Sequence, residues 1–167
     1  MERTATRTDV HWLDDAEKAA WLALIEVGSG LFDALSSDLR GIADLTLEDY
    51  EVLHLLSDQE TRRLRVGSLA NEMLASRTRL SQRLDRLSER GLVARERCPE
   101  DRRAINVVLT EAGYDLLVEV APNHLDSVRR LVFDHLDTDD VAALAVGLGK
   151  VAEHLHALRT GDRTADQ

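Results

Sequence analysis

The residues with the most evident chemistry are arginines concentrated between Arg62 and Arg103. This window holds twelve arginines and six acidic residues, so its net charge is +6 within a 167-residue chain of formal net charge −10. A guanidinium group binds a phosphate or a base edge through two parallel hydrogen bonds, and a basic block on an otherwise acidic protein favours a polyanionic partner. The pattern therefore indicates one surface that binds nucleic acid, and an ordinary solvated charged face is the alternative interpretation.

Within this window, the apolar spacing predicts a helix that is capped by Ser76 and stops at Gly91. Leu80, Leu84 and Leu87 fall on one narrow stripe when successive residues are placed about 100° apart. The opposite face carries short hydrogen-bonding side chains flanked by arginine, which suits a helix whose N-terminal end lies in the major groove of DNA. The free N–H groups at the helix start add phosphate ligands. The predicted DNA contacts of this helix are Ser76, Arg77, Thr78, Arg79, Ser81, Gln82, Arg83 and Arg86.

Two β-rich segments, 92–97 and 105–109, follow this helix and predict a hairpin with a long charged tip. Arginines on the first strand would bind phosphates. At the tip, Asp101 can brace the side chain of Arg103, which lies two residues later. Arg102 or Arg103 can then enter a narrow minor groove, whose negative potential attracts arginine. The predicted DNA contacts of the hairpin are Arg95, Arg97, Asp101, Arg102 and Arg103.

Three helices are predicted before this unit. The first begins at Trp12–Asp15 and runs to about Leu39, because Gly41 and the apolar run that follows it interrupt the helical spacing. Thr46, with an acid three residues later, caps the second helix, and the stretch 57–63 is expected to be a loop. A short third helix is predicted over 66–74.

Two long helices are predicted after the hairpin. Thr110 caps the fifth helix, which is expected to reach about Leu136 and to be kinked, not ended, by Pro122. Thr138 is expected to cap the last helix, which continues to Leu158.

The predicted fold is mainly α with a small β-hairpin wing. Three short helices followed by a hairpin form a winged helix-turn-helix over residues 46–109. The long helical segments 10–45 and 110–158 are too apolar to serve only as its core, so a second copy of the chain is their simplest partner. Residues 10–158 are expected to form a single domain, with frayed tails at 1–9 and 159–167.

Composition narrows the class of protein further. No run approaches the roughly 20 apolar residues of a membrane span, and the polar N-terminus lacks the apolar core of a secretion signal. The single cysteine, Cys98, cannot form an intramolecular disulfide. These features predict a cytoplasmic protein without a membrane partner.

Several motifs together resemble the MarR (multiple-antibiotic-resistance regulator) family. They are Leu69-Ala70, the run from Arg79 to Val93, the wing segment from Cys98 to Ala104, and Leu109-Thr110-Glu111-Ala112-Gly113. The resemblance extends from about Trp12 to Leu158. It implies a homodimeric winged-helix repressor that binds a pseudo-palindromic operator in double-stranded DNA through a MarR-like domain, and that small phenolic or lipophilic acids release. It places the dimer interface in Trp12–Leu39 and Pro122–Leu158.

The resemblance also places an effector pocket between the dimerising and DNA-binding parts. Aromatic rings beside imidazoles suit an aromatic carboxylate or phenol. The candidates are His11, Trp12, Trp21, Tyr50 and His54. The alternative is that Trp21 and Tyr50 belong to the core and that His11 is frayed.

Other kinds of site lack a matching pattern in the sequence. The six histidines show no metal-ligand spacing, and no nucleophile–base pair or phosphate loop is present, so neither a metal, a cofactor nor catalysis is predicted. Cys98 lies near Arg95 and Arg97, which could lower the pKa of its thiol, so thiol sensing is an alternative to a structural role. A dimeric protein-interaction module on a winged-helix scaffold, without specific DNA binding, is the other alternative.

Overall fold

The computed structural model describes residues 10–73, 76–98, 101 and 104–161. The helices are α1 (Asp15–Ala43), α2 (Leu47–Ser57), α3 (Val66–Glu72), α4 (Arg77–Glu89), α5 (Glu111–Leu131) and α6 (Thr138–Gly161), and a 3₁₀ turn covers Phe133–His135. The strands are β1 (Arg63–Arg65), β2 (Val93–Arg97) and β3 (Ile105–Leu109). The predicted fold class, mainly α with a small β wing, is confirmed.

The sheet has one strand more than the predicted hairpin. Its order is β1-β3-β2, and both pairings are antiparallel, with Arg63 opposite Val108 and Val93 opposite Leu109. The prediction that residues 57–63 form only a loop was wrong at its end. Arg63, Leu64 and Arg65 do alternate between exposed polar and half-buried apolar side chains, but three residues are too few to distinguish a strand from a loop. The pairing of β1 with β3 defines the strand.

Three residues, 44–46, separate α1 from α2, and they determine where α1 ends and α2 begins. The capping box is complete, because Asp49 N–H donates to Thr46 Oγ1 over 3.2 Å and Thr46 N–H donates to Asp49 Oδ2 over 2.9 Å. Helix α1 continues through Gly41, contrary to prediction, and ends where Asp44 adopts a φ of 52°. Aspartate is among the few residues that tolerate this left-handed conformation, so it ends the helix where glycine was expected to do so.

The junction between α5 and α6 also differs from prediction. Helix α5 continues past Pro122 but ends at Leu131, five residues before the predicted end. His135 Nε2 lies 3.0 Å from the carbonyl oxygen of Arg130 and satisfies one carbonyl in the last turn. Asp137, not Thr138, caps α6, since its Oδ1 accepts the N–H groups of the next two acids, each over 2.9 Å.

The buried core lies among α2, α3, α4, α5, the end of α1 and the sheet. Its largest fully buried side chains are Leu39, Leu45, Leu53, Leu56, Leu69, Leu80, Leu84, Leu87, Val52, Val107 and Val120. The chain divides into two compact units between Ala34 and Leu35, and this core belongs to the second. In the first unit, Trp12, Trp21, Leu22, Ile25 and Phe32 are all more than half exposed.

Helix α6 exposes an apolar seam. Leu144, Leu148, Val151, Leu155 and Leu158 follow one another at spacings of four, three, four and three, and all are more than two-fifths exposed. This is the a/d spacing of a coiled-coil seam. The length and composition of α1 and of residues 138–158 would also allow each segment to cross a membrane. This differs from the expectation that no segment could do so, which rested on the absence of a long uninterrupted run of apolar residues. Long apolar helices of this kind are equally characteristic of subunit interfaces, so they are weak evidence for a membrane span.

Candidate nucleic-acid interface

Helix α4 presents the face that its sequence predicts. The Arg79 N–H donates to Ser76 Oγ over 3.3 Å, which confirms Ser76 as the cap, and Gly91 ends the helix with a φ of 71°. Leu80 and Leu84 are completely buried and Leu87 is 1% exposed. The opposite side chains Thr78, Arg79, Ser81, Gln82 and Arg86 are exposed. Arg77 begins the helix, but its side chain lies outside the described residues.

Arg83 occupies a different environment from the other predicted contacts on α4. Its side chain is only 16% exposed, and its Nη1 lies 2.8 Å from Asp49 Oδ1 and 2.8 Å from Thr46 Oγ1. A guanidinium held by two acceptors inside the fold must break both bonds to reach a phosphate. In this structure, Arg83 joins α4 to the N-terminus of α2.

Asp49 remains ionised at this junction. Burial alone would raise the pKa of its carboxyl group, but hydrogen bonds from the backbone and hydroxyl of Thr46 and from Arg83 outweigh burial. The pKa of Asp49 therefore lies below its usual value. The junction thus contains a charged carboxylate at neutral pH, paired with a charged guanidinium.

Other arginines of the basic window also support the fold. Arg95 Nη2 donates to the carbonyl oxygen of Ser81 over 3.0 Å and lies 2.8 Å from Asp85 Oδ1, so it holds β2 against α4. Arg90 donates from Nη1 and Nη2 to the carbonyl oxygens of Asp44 and Ala43, over 2.7 and 2.9 Å. The charge of the window is therefore only partly available to a ligand.

The Arg62 side chain shows the same behaviour at the other edge of the window. Its Nη1 lies 3.0 Å from Glu111 Oε1, and its guanidinium carbon lies 3.7 Å from the centroid of the Tyr114 ring. These contacts join the segment before β1 to the start of α5. A count of arginines in the sequence does not separate such contacts from free cations.

The base of the wing is closed by backbone hydrogen bonds. Cys98 N–H donates to the carbonyl oxygen of Ala104 over 3.0 Å, and Ala104 N–H donates to that of Asp101 over 2.9 Å. Arg97 and Asp101 are exposed. Arg102 and Arg103, the predicted minor-groove residues, lie outside the described residues, as does the predicted brace between Asp101 and Arg103.

Two of the effector candidates lie together on α2, beside a histidine that the sequence analysis missed. The ring centroid of Tyr50 is 4.3 Å from that of His124 and 6.2 Å from that of His54. Among the described residues, His124 Nδ1 is buried without a hydrogen-bond partner. Burial and then the neighbouring His54 lower the pKa of His124 below its usual value, which favours the neutral ring. The spacing of His124 from Leu117 and Val120 on α5 could have indicated that it faces inward.

The remaining effector candidates lie in the separate first unit. His11, Trp12 and Trp21 are all exposed there.

The remaining expectations concern a thiol-sensing role for Cys98 and the absence of a metal site. The Cys98 thiol is buried, and Arg65 Nη2 lies 3.7 Å from its sulfur. Within the described ranges, histidine, cysteine, aspartate and glutamate side chains form no group of three that could hold a metal ion.

A three-stranded sheet beside α2, α3 and an exposed α4 defines a winged helix-turn-helix protein. The family model described as MarR family matches residues 43–104 of this chain. Among solved structures, the chain is 40% identical to AbsC, a MarR family transcriptional regulator from Streptomyces coelicolor, with a TM-score of 0.83 over 89% of this chain and 99% of AbsC. The chain belongs to the MarR family.

Two further structures show relatives with ligands. Sco3205, a MarR family transcriptional regulator from Streptomyces coelicolor in complex with DNA, is 36% identical, with a TM-score of 0.84 over 89% of this chain and 92% of Sco3205. CouR from Rhodococcus jostii RHA1, bound to p-coumaroyl-CoA, is 26% identical, with a TM-score of 0.71 over 82% of this chain and 93% of CouR. The chain spans 53% and 60% of the lengths of two curated transcriptional regulators that it matches.

Proposed function

We propose that this protein is a cytoplasmic, non-enzymatic repressor that binds a pseudo-palindromic operator in double-stranded DNA as a homodimer. The exposed face of α4 carries the proposal, because it presents Thr78, Arg79, Ser81 and Gln82 near the helix N-terminus while three leucines anchor the opposite side. The DNA complex of the 36% identical relative Sco3205 supports it. The proposed DNA-binding part is 46–109, and the proposed dimerising parts are 10–45 and 110–158.

Within the interface, we assign sequence reading to α4 and phosphate binding to the wing. Glutamine can bind adenine through two hydrogen bonds in the major groove, whereas minor-groove contacts distinguish base pairs poorly. Arg79 and Arg86 are exposed on the flanks of the reading face, where they can contact guanine or phosphate. Arg97 is exposed at the end of β2 on the wing.

Replacing Gln82 with alanine tests this assignment. The affinity for an operator selected by the wild-type protein from random duplexes should fall by about 1–3 kcal/mol, with relaxed preference at one or two base pairs. The affinity should be measured for the operator and for a scrambled duplex at two salt concentrations. Wild-type affinity should fall steeply with salt, because neutralised phosphates release counterions.

Gln59→Ala is the matched control, since it removes the same side chain from the segment after α2 and should leave both affinities unchanged. Equal wild-type affinity for operator and scrambled duplex would contradict specific DNA binding. It would favour the protein-interaction module instead.

We propose further that a small aromatic or lipophilic acid releases the DNA. The ring cluster on α2 and α5 supports this, because His124 Nδ1, buried and without a hydrogen-bond partner among the described residues, offers a polar anchor beside the Tyr50 ring. The p-coumaroyl-CoA complex of the relative CouR supports an aromatic acyl effector class. In the second unit the candidate contacts are Tyr50 and His54, and we add His124 to them. In the first unit the candidates remain His11, Trp12 and Trp21. Such a ligand acts only if it binds the DNA-incompetent conformation more tightly.

The effector proposal predicts the behaviour of Trp12→Ala. The variant should bind operator as the wild type does but require at least about tenfold more salicylate-like acid for release, because a large aromatic contact contributes roughly 1.5–3 kcal/mol. Fluorescence anisotropy of labelled operator, titrated with the acid, measures both quantities.

The same assay, run with peroxide, tests thiol sensing. The buried position of Cys98 disfavours it, since oxidation follows exposure of the thiolate. Release of operator by peroxide, abolished in Cys98→Ser, would replace the ligand proposal with thiol sensing.

A further inference from the structure

We propose that Asp49 is a positioning residue for DNA recognition, which acts through Arg83 to set the orientation of the α4 reading face. The inference rests on the proposed function, because it concerns how that face is aimed at DNA. Arg83 then holds α4 in place, and the exposed arginines of α4 contact the DNA.

The two carboxylate oxygens of Asp49 have separate tasks. Oδ2 accepts the Thr46 N–H over 2.9 Å and so completes the start of α2. Oδ1 accepts Arg83 Nη1 over 2.8 Å, and the same nitrogen donates to Thr46 Oγ1 over 2.8 Å. One carboxylate therefore fixes both the first turn of α2 and the middle of α4.

Arg83 and Arg86 lie near the same Asp49 oxygen but differ in exposure. The Arg83 side chain is 16% exposed, and the Arg86 side chain, whose Nη2 lies 3.4 Å from Oδ1, is 60% exposed. Arg86 can therefore contact DNA while Asp49 steers it. Arg83 cannot do so without breaking both of its 2.8 Å hydrogen bonds. The buried Asp49 would then keep only the Thr46 N–H and the more distant Arg86, which is unfavourable.

The position of Arg83 makes it a determinant of sequence reading. It follows Gln82 directly, and the side chains of a helix reach about 6 Å from its axis, so a rotation of roughly 10° displaces a reading group by about 1 Å. A displacement of that size breaks the geometry of a bidentate hydrogen bond to a base. Contacts with phosphates tolerate it better, because they depend mainly on charge.

The test compares operator and scrambled-duplex affinities of full-length Arg83→Gln, Arg86→Ala and Arg129→Gln over a range of salt concentrations. The operator is the duplex that the wild-type protein selects from random sequence. Arg129, on α5, is the control for loss of one exposed arginine, since its side chain is 70% exposed. For Arg83→Gln we expect the ratio of the two affinities to fall about tenfold or more, with an unchanged salt slope. For Arg86→Ala we expect the salt slope to decrease by about 0.9, the value for one phosphate.

The ratio separates positioning from a general loss of stability. An unfolded fraction lowers both affinities by the same factor, so it leaves the ratio unchanged. Circular dichroism identifies variants that do not fold. If Arg83→Gln is unfolded, Arg83→Lys carries the test, because an ammonium cannot reproduce the planar, two-acceptor geometry, and we expect a ratio reduced about threefold.

If both Arg83 variants keep the wild-type ratio of operator affinity to scrambled-duplex affinity, the inference is overturned. A salt slope lowered by about 0.9 in Arg83→Gln would also overturn it, because Arg83 would then be a phosphate contact. A wild-type protein that does not discriminate operator from scrambled duplex would overturn the proposed function, and this inference with it.

Discussion

Aspartate at both Leu148 and Leu155 should convert the proposed homodimer into monomers and weaken operator binding by about 100-fold or more. Both leucines lie on the a/d seam of α6 and are about half exposed in the single chain. Two buried, like-charged carboxylates per subunit would prevent the seams of two copies from packing. A monomer then binds one half-site at a time and loses the effective concentration that a linked second site provides.

Sedimentation equilibrium should show the change of mass, and anisotropy with the selected operator should show the loss of affinity. Lys150→Asp is the control, because it introduces the same side chain on the side of α6 away from the seam and should leave the dimer intact. A double variant that remains dimeric would place the subunit interface elsewhere. A monomer with undiminished operator affinity would contradict the requirement for two symmetric half-sites.

Gly113→Ala should lower the free energy of unfolding by about 3 kcal/mol, at the upper end for an added methyl group. A Cβ at this position would collide with the backbone carbonyl oxygen of Leu92 and would lie 2.8 Å from Leu109 Cδ1. The carbonyl cannot move away easily, because it accepts the N–H and the hydroxyl of Thr110 over 3.2 and 3.0 Å. The glycine therefore permits the first turn of α5 to lie against the start of the wing.

Denaturant unfolding followed by circular dichroism measures this change. Gly67→Ala is the control, since a Cβ there meets nothing within 4 Å and the substitution on α3 should stabilise the protein by up to about 1 kcal/mol. If both variants unfold at the midpoint of the wild type, the close approach of α5 to Leu92 does not contribute to stability. If the free energy of unfolding of Gly113→Ala falls as predicted, the close approach to Leu92 explains why glycine follows the Leu-Thr pair at this spacing.

Local sequence was sufficient to predict α4 and its exposed face. The leucine spacing and the Ser76 cap depend on residues within one or two helical turns, and the structure places them as that periodicity requires. The capping box at Thr46 and the two strands of the wing were predictable for the same reason. The end of α5 is equally local, since His135 lies only five residues from the Arg130 carbonyl oxygen that it contacts, but the apolar residues continue to Leu136 and moved the predicted end five residues too far.

The roles of the individual arginines could not be deduced from the sequence alone. Arg83 finds its acceptors 34 and 37 residues away, and Arg90 finds its own 46 and 47 residues away. The ring contact of His124 with Tyr50 has the same non-local origin. The sequence by itself determined the exposed face of α4 and, through charge and helical period, predicted which residues could meet DNA. The tertiary structure decided which of them are held within the fold, because a guanidinium binds the nearest acceptors in space and not those nearest in sequence.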